Sequence, residues 1–269
     1  MKVCYYAWSS YTKFSIEIHR EILTKGIDYS AFFVVNNSEE RDKVLKSFPE
    51  AKIYLATEFL ERNHEAFTIL EFINCEKRFD IDSLWGLILS DRFLYNQPHD
   101  YVIKMATGYL KFFEMIFSEE HPDFFFNEVV AVFSSYAAYY VGKAYGVKYV
   151  APTATRTHGS SHHYFVTDPF QLNMNFNPNY KLSTFNTGYI EKAREYIKEF
   201  ELKALKPELM TYTGVRPRFG LSFIKCSILF ILEALHPRNQ YDYINRYNYK
   251  SSVLQLETPP VWSMVVNNH

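Results

Sequence analysis

The sequence has few of the residues that mark disulfide-rich or nucleotide-cradling proteins. Its three cysteines, Cys4, Cys75 and Cys226, lie far apart and form no CxxC pair, which argues against a disulfide framework and a thiolate zinc site. Only 9 of the 269 residues are glycine, and neither GxGxxG nor GxxxxGK[ST] occurs. A nicotinamide dehydrogenase or a P-loop enzyme is therefore not expected.

Long apolar runs and a strong net charge are also missing. The run Val3 to Trp8 is too short for a signal-peptide core. Residues 219–235 include Lys225 and fall short of a membrane span by roughly four residues. They predict a buried or partner-binding helix, with peripheral membrane contact as the alternative. A formal charge of -1 predicts no nucleic-acid partner. We expect a soluble cytoplasmic protein, with the inner face of the membrane as the alternative location.

Aromatic residues, in contrast, are abundant. They make up 18% of the chain, with 24 Phe and 22 Tyr. Aromatic side chains supply large buried areas and flat surfaces on which sugars or bases stack. An AT-rich genome, which favours Phe and Tyr codons, explains the same excess without any functional role.

Strand and helix patterns alternate through the first 150 residues. This alternation predicts an α/β fold, a Rossmann-like parallel sheet with helices on both faces, followed by a helical C-terminal extension. Buried parallel strands are apolar throughout, as Val3 to Trp8 is. The predicted strands are Val3–Trp8, Tyr29–Val35, Lys52–Leu55, Phe124–Phe126 and Val147–Val150; the predicted helices are Lys13–Lys25, 39–46 capped by Ser38, Leu84–Leu94, Asp100–Glu119 and Val129–Tyr145.

Three regions of different character follow one another along the chain. Residues 1–165 form the predicted Rossmann-like domain, 166–236 an irregular loop with a helical extension, and 237–269 a linker or tail. The stretch from Thr153 to Tyr180 is rich in Thr, His, Ser and Asn. Such a long irregular connection predicts a functional loop or a lid. Helices are expected at 189–205 and 219–235.

Polar side chains follow the predicted strands, where ligands bind in open parallel sheets. After the first strand, Ser9, Ser10 and Thr12 offer three hydroxyls to a phosphate or a sugar, assisted by the helix dipole. Helix capping by these residues is the alternative. After the Phe124–Phe126 strand, Glu128 is a candidate general base. Its alternative role is stabilisation of the next helix through the dipole.

The loop after the last predicted strand carries a basic and histidine-rich run. Arg156 is a candidate cation for phosphate or carboxylate, and His158 a candidate acid, base or phosphate donor. His162 and His163 are further candidate substrate-binding residues. His158 and His162 are four residues apart, but Gly159, Ser160 and Ser161 between them disfavour a shared helical face, so no metal site is predicted. A polar surface loop is the alternative.

The order of these motifs resembles the N-terminal half of GT-B glycosyltransferases. The matching residues are His121-Pro122-Asp123, Asn127-Glu128, the helix end Gly142 to Gly146, the strand to Pro152, and the Arg/His loop after it. The sequence is most similar to the bacterial capsule and surface-polysaccharide biosynthesis group. The resemblance covers about residues 1 to 165.

The resemblance implies an enzyme of two Rossmann-like halves with the reaction in the cleft between them. The N-terminal half would bind a glycan or lipid-linked acceptor, with Ser9, Ser10 and Thr12 lining the cleft. Glu128 would act as base, and Arg156 and His158 would contact the acceptor or a donor phosphate. A nucleotide-sugar donor would be a co-substrate, with no tightly bound cofactor. No second strand-helix series follows residue 236. The donor-binding half would then belong to a longer chain or to a separate partner chain; the alternative is a single-domain relative with another role.

Two other functions fit the same residues. One is a small sugar-phosphate or nucleotide-sugar enzyme, epimerase-like or hydrolase-like, that uses Glu128 and His158. The other is a non-catalytic binding or scaffold module that docks through residues 219–235.

Overall fold

The computed structural model describes residues 1–9, 11–91, 93–94, 97–127, 132–154, 163–167, 187–203 and 240–242. Six strands and eight α-helices lie in these ranges, with one short 3-10 turn at His64–Ala66. The strands are β1 (Lys2–Tyr6), β2 (Ser30–Val35), β3 (Ile53–Leu55), β4 (Phe124–Phe126), β5 (Lys148–Ala154) and β6 (His163–Val166); the helices are α1 (Tyr11–Thr24), α2 (Ser38–Ser47), α3 (Ala56–Asn63), α4 (Ile69–Arg78), α5 (Leu84–Ser90), α6 (His99–Glu120), α7 (Phe133–Ala144) and α8 (Thr187–Lys203).

The six strands form one sheet in the order β3-β2-β1-β4-β5-β6. The first five are parallel, and β6 is antiparallel to β5 at the edge. Cys4 of β1 pairs with Phe32 of β2 on one side and with Phe125 of β4 on the other. The first strand of the chain is therefore in the middle of the sheet.

Helices cover both faces of this sheet, and the two-residue period of β1 assigns each side chain to one of them. Cys4, Tyr6 and Trp8 point into a large aromatic core that includes residues of α3 to α7. Val3 and Tyr5 point to the opposite face, where a smaller core includes residues of α1 and α2. The three-layer arrangement confirms the predicted α/β, Rossmann-like fold.

Several predicted boundaries need correction. The cap of α2 is Asn37, one residue before the predicted Ser38, because Asn37 and Glu40 form a reciprocal capping box. Residues 59–80, which the sequence left unassigned, contain most of α3 and all of α4. The helix predicted to reach Leu94 ends at Ser90.

Two strand predictions near Val150 need correction. β5 continues through Pro152 to Ala154 and pairs with β6, which lies within the stretch expected to be irregular. β4 pairs with β5 only as far as Val150. Pro152 lies beyond this pairing, so its lack of a backbone N–H costs no hydrogen bond to β4. α8 confirms a helix close to the predicted 189–205, whereas 219–235 lies outside the described residues.

Candidate functional site

The strand order places a topological switch point between β1 and β4. The chain leaves β1 through α1 toward β2 and β3, and later returns to the other side of β1 as β4. In open parallel sheets the connections at such a point diverge, and ligands bind in the crevice at the carboxyl ends of the two strands. Here those ends lead into Trp8 and Ser9 on β1 and into Asn127 on β4.

Trp8 and Asn127 join the two strand ends through their side chains. The indole Nε1 of Trp8 donates to Oδ1 of Asn127 at 3.3 Å. An indole N–H can only donate, so this bond fixes which end of the amide faces Trp8. The amide nitrogen Nδ2 of Asn127 is buried and has no hydrogen-bond partner among the residues that the structure describes. A ligand oxygen within reach would satisfy this donor, whose unmet burial costs about 1–3 kcal/mol.

Ser9 turns the chain sharply out of β1 and is fixed there by Glu40. Its φ of 51° lies in the left-handed region, which a serine rarely adopts without support. The backbone N–H of Ser9 donates to Oε1 of Glu40 at 2.6 Å. The other oxygen, Oε2, accepts the N–H groups of Asn36 at 2.8 Å and Asn37 at 3.3 Å. One carboxyl group therefore connects the loops that follow β1 and β2.

Glu40 is a buried acid at this edge of the sheet, and its pKa is strongly shifted. Its side chain is only 3% exposed. Burial is the main cause that raises its pKa from 4.5 to about 7; the nearby Asp242 carboxyl adds to the rise, and the three N–H bonds oppose it. Its charge state therefore changes near neutral pH.

Thr12, a predicted substrate-binding residue, lies on the inner side of the same loop. Its side chain is buried, and its hydroxyl donates to the carbonyl of Ala7 at 3.1 Å. This bond closes the turn between β1 and α1. Of the two hydroxyl residues of this loop that the structure describes, Ser9 is the more exposed.

A second polar group lies beneath the strand ends. Oδ1 of Asn36 accepts hydrogen bonds from the hydroxyls of Tyr6 at 2.8 Å and Tyr109 at 3.1 Å. All three side chains are buried. They connect the end of β2 to β1 and α6, and the backbone N–H of Asn36 links this cluster through Glu40 to the Ser9 turn.

Asp91 places another buried carboxyl at the start of α7. Its Oδ1 accepts the N–H groups of Phe93 at 2.6 Å and Leu94 at 3.1 Å, and its Oδ2 accepts the N–H of Phe133. Phe133 is the first residue of α7. An acidic side chain at this position is stabilised by the helix dipole, and it occupies one of the N–H groups that an anionic ligand would otherwise use.

Most of the predicted site residues fall outside the described ranges. They are Ser10, Glu128, Arg156, His158 and His162. His163 is described by its backbone, which begins β6 opposite Ala154. The shared cleft of Ser9, Glu128 and Arg156 thus stays a prediction. The structure does bring Ser9 close to Asn127, which directly precedes Glu128, through Trp8.

Sequence reasoning missed the residues that carry the geometry of this edge. Neither Glu40 nor Asn127 was among the predicted site residues. The one available signal was Asn36-Asn37 directly after a buried strand, with Glu40 three residues beyond Asn37. This spacing is that of a capping box, and it does not reveal that the glutamate also reaches Ser9.

The described residues offer neither a metal site nor a membrane span. No three His, Cys, Asp or Glu side chains of the described residues are grouped so as to hold a metal ion. Among the described helices, none combines the length and the apolar character needed to cross a membrane.

No protein-family model, curated protein or solved structure matches the chain. The strand order and the residues at the strand ends are therefore the basis of the functional proposal.

Proposed function

We propose that this chain is the acceptor-binding half of a GT-B-type glycosyltransferase that acts in bacterial surface-polysaccharide biosynthesis. The observation that carries the proposal is the switch point between β1 and β4, with Ser9 and the unsatisfied amide of Asn127 at its two sides. The resemblance of residues 1–165 to the N-terminal half of these enzymes agrees with this location of the ligand.

The electrostatics of the strand ends favour hydroxyl-rich ligands over phosphate. Rossmann-type sites bind phosphate with backbone N–H groups at helix N-termini. Here the N–H of Ser9 already donates to Glu40, and the N–H of Phe133 donates to Asp91. Once either carboxyl is ionised, it repels a nearby phosphate. An acceptor glycan, which offers neutral hydroxyls, suits both positions better.

Sugar binding at this crevice would use polar donors beside an aromatic face. The Ser9 hydroxyl and Asn127 Nδ2 would bond to sugar hydroxyls. The ring of Tyr11 stacks on Trp8 with centroids 6.4 Å apart and planes at 25°. Tyr11 is partly exposed, and an aromatic face of this kind packs against the apolar side of a sugar ring.

The chemical step would require residues beyond those that form the crevice. Glu128, next to Asn127 in sequence, would take the proton from the attacking acceptor hydroxyl. Arg156 and His158 would contact phosphate groups of the acceptor or donor. The nucleotide-sugar donor would bind to a separate domain or chain, so this half alone would bind acceptor but transfer little sugar.

Calorimetric titration tests the proposal directly. Wild-type protein is titrated with a panel of neutral oligosaccharides and, separately, with nucleotide sugars. We expect the oligosaccharides to bind. We also expect Asn127→Leu, which removes the amide donor with little change in size, to weaken that binding about tenfold, a loss of about 1.4 kcal/mol. Asn63→Leu, at the exposed end of α3, is the matched control and should bind as wild type.

Three results would contradict the proposal. The first is no heat from any oligosaccharide, which would favour a scaffold role. The second is tight binding of nucleotide sugars alone, which would favour a nucleotide-sugar enzyme. The third is oligosaccharide binding that Asn127→Leu leaves unchanged while its circular dichroism matches wild type, which would place the ligand elsewhere.

A further inference from the structure

Two asparagine side chains follow the strands on either side of β1, and in both the amide nitrogen is unpaired. Asn36 follows β2 and Asn127 follows β4, and the two residues are 0% and 1% exposed. Within the described part of the chain, Nδ2 of each is buried without a hydrogen-bond partner. Unpaired buried donors are rare in folded proteins, and a bound molecule that supplies the acceptor is one physical reason for them.

The orientation of the Asn127 amide is the better defined of the two. Its Oδ1 accepts from Nε1 of Trp8 at 3.3 Å, and an indole N–H can only donate. Oδ1 of Asn36 is bonded to the hydroxyls of Tyr6 and Tyr109, and a hydroxyl can donate or accept. Trp8 therefore fixes Nδ2 of Asn127 as the end of the amide that faces away from the indole, where it can only donate.

A donor of this kind is matched most simply by an oxygen that carries no proton of its own. A sugar hydroxyl that accepts from Nδ2 must also place its own proton, whereas a carbonyl oxygen has none. A carboxylate or phosphate oxygen has none either, but the buried carboxyls of Glu40 and Asp91 bond to N–H groups at this edge of the sheet. They repel an anion once they are ionised. A neutral carbonyl group therefore fits this donor best.

On a neutral carbohydrate, the carbonyl group belongs to the N-acyl substituent of an amino sugar. An acetamido group has an N–H and an apolar methyl besides its carbonyl. The hydroxyl of Ser9, which is next to Trp8, can accept from the N–H. The rings of Trp8 and Tyr11, stacked with centroids 6.4 Å apart, provide an apolar surface for the methyl. Each part of an acetamido group thus has a counterpart at this crevice.

We propose that the carbohydrate bound at this crevice is an N-acylated amino sugar, whose acyl carbonyl oxygen accepts a hydrogen bond from Nδ2 of Asn127. The inference rests on the proposed function, because it names the chemistry of the same ligand. Its consequence is a preference of the protein for an acetamido group over a hydroxyl in otherwise identical sugars. An ordered water molecule at Nδ2 would also satisfy the donor, but it would produce no such preference.

Calorimetric titration of the full chain with matched sugar pairs measures this preference. Triacetylchitotriose and cellotriose differ only in having an acetamido group or a hydroxyl at the second carbon of each ring. Methyl N-acetylgalactosaminide and methyl galactoside differ in the same way. We expect the acetamido member of at least one pair to bind about tenfold tighter than its hydroxyl counterpart, the effect of one hydrogen bond to a buried donor.

The variant Asn127→Asp identifies the donor. It keeps an oxygen that accepts from Trp8 and replaces Nδ2 by a second oxygen, which cannot donate when it is ionised. The acetamido sugar should bind about tenfold more weakly than to wild type, whereas the hydroxyl sugar can donate to the new oxygen and should lose less. Asn63→Asp makes the same change at the exposed end of α3 and should keep the wild-type preference. If Asn127→Asp does not fold, the wild-type comparison of the sugar pairs decides alone.

Three outcomes overturn the inference and leave the proposed function standing. One is equal binding of the two members in both pairs, and another is a preference that Asn127→Asp retains. The third is tighter binding of trigalacturonic acid than of either acetamido sugar, which would assign the site to an acidic sugar. No heat from any sugar would, in contrast, overturn the proposed function together with this inference.

Discussion

The buried carboxyl of Glu40 predicts an unusual pH dependence of stability. A carboxyl group that is paired with cations in the folded state makes a protein more stable as pH rises, but Glu40 is expected to do the opposite. Its pKa is about 7 in the folded chain and 4.5 as an ordinary glutamate. Between these values the folded chain retains a proton that the unfolded chain has lost, so the free energy of unfolding decreases as pH rises.

The size of the effect follows from the two pKa values. A difference of one unit corresponds to about 1.4 kcal/mol. Integrated between pH 5 and pH 8, the contribution of Glu40 to the free energy of unfolding falls by about 2.5 kcal/mol, and most of that fall occurs below pH 7. Glu40→Gln has no charge to gain. The free energy of unfolding of the variant minus that of wild type should therefore increase by about 2.5 kcal/mol from pH 5 to pH 8.

Urea unfolding at pH 5 and pH 8, followed by circular dichroism, measures this relative change. The cost of replacing an oxygen by the amide group of Gln is the same at both pH values and cancels in the comparison. Groups such as His19, whose pKa burial lowers, titrate alike in both proteins and cancel as well. Glu39→Gln should follow wild type. A stability difference between wild type and Glu40→Gln that does not change with pH would refute the reasoning.

Three other predictions concern the scaffold, and urea unfolding measures each of them. Gly108→Ala should lose about 1–3 kcal/mol, because a Cβ at this position would lie 2.2 Å from Leu60 and 2.9 Å from Phe67; no loss would mean that the core has room to relax. Asp91→Asn should lose about 2 kcal/mol, because its amide nitrogen would face the backbone N–H of a neighbouring loop or helix, and an unchanged stability would contradict the bonds described. For Glu120, burial raises the pKa, but hydrogen bonds from two lysines and a tyrosine outweigh it and hold the pKa at about 2. Wild type should therefore lose stability between pH 5 and pH 2.5 more steeply than Glu120→Gln, and parallel curves would contradict this.

The sheet was predictable because its buried strands are apolar without interruption. β4 was predicted with its observed bounds, since Pro122-Asp123 precedes it and Asn127 follows it. α3 and α4 were not, because their apolar residues do not mark one face. On α4, Phe72 and Cys75 are buried, while Leu70 is 66% exposed. Tertiary packing, which a local pattern does not contain, decides which of these residues point inward.

The location of the candidate site could be predicted from the sequence, but most of the residues that shape it could not. The strand-end rule led to Ser9 and to the residue beside Asn127, because it depends only on strand order. The role of Glu40 depends on a contact across 31 residues with Ser9, and Asp242 reaches Asn37 across 205 residues. An acidic residue in the first turn of a helix looks the same in sequence whether solvent or a folded loop surrounds it.

The central position of β1 also has a consequence for biosynthesis. β1 leaves the ribosome well before β4, with which it pairs on one side, and the bond from Lys2 to Asp123 closes a separation of 121 residues. Contacts this distant in sequence raise the contact order and slow folding. Until β4 has emerged, one edge of β1, with its aromatic side chains, has no strand beside it. We expect the nascent chain to need protection from aggregation over this interval. A protein whose early strand lies at the edge of its sheet should need less.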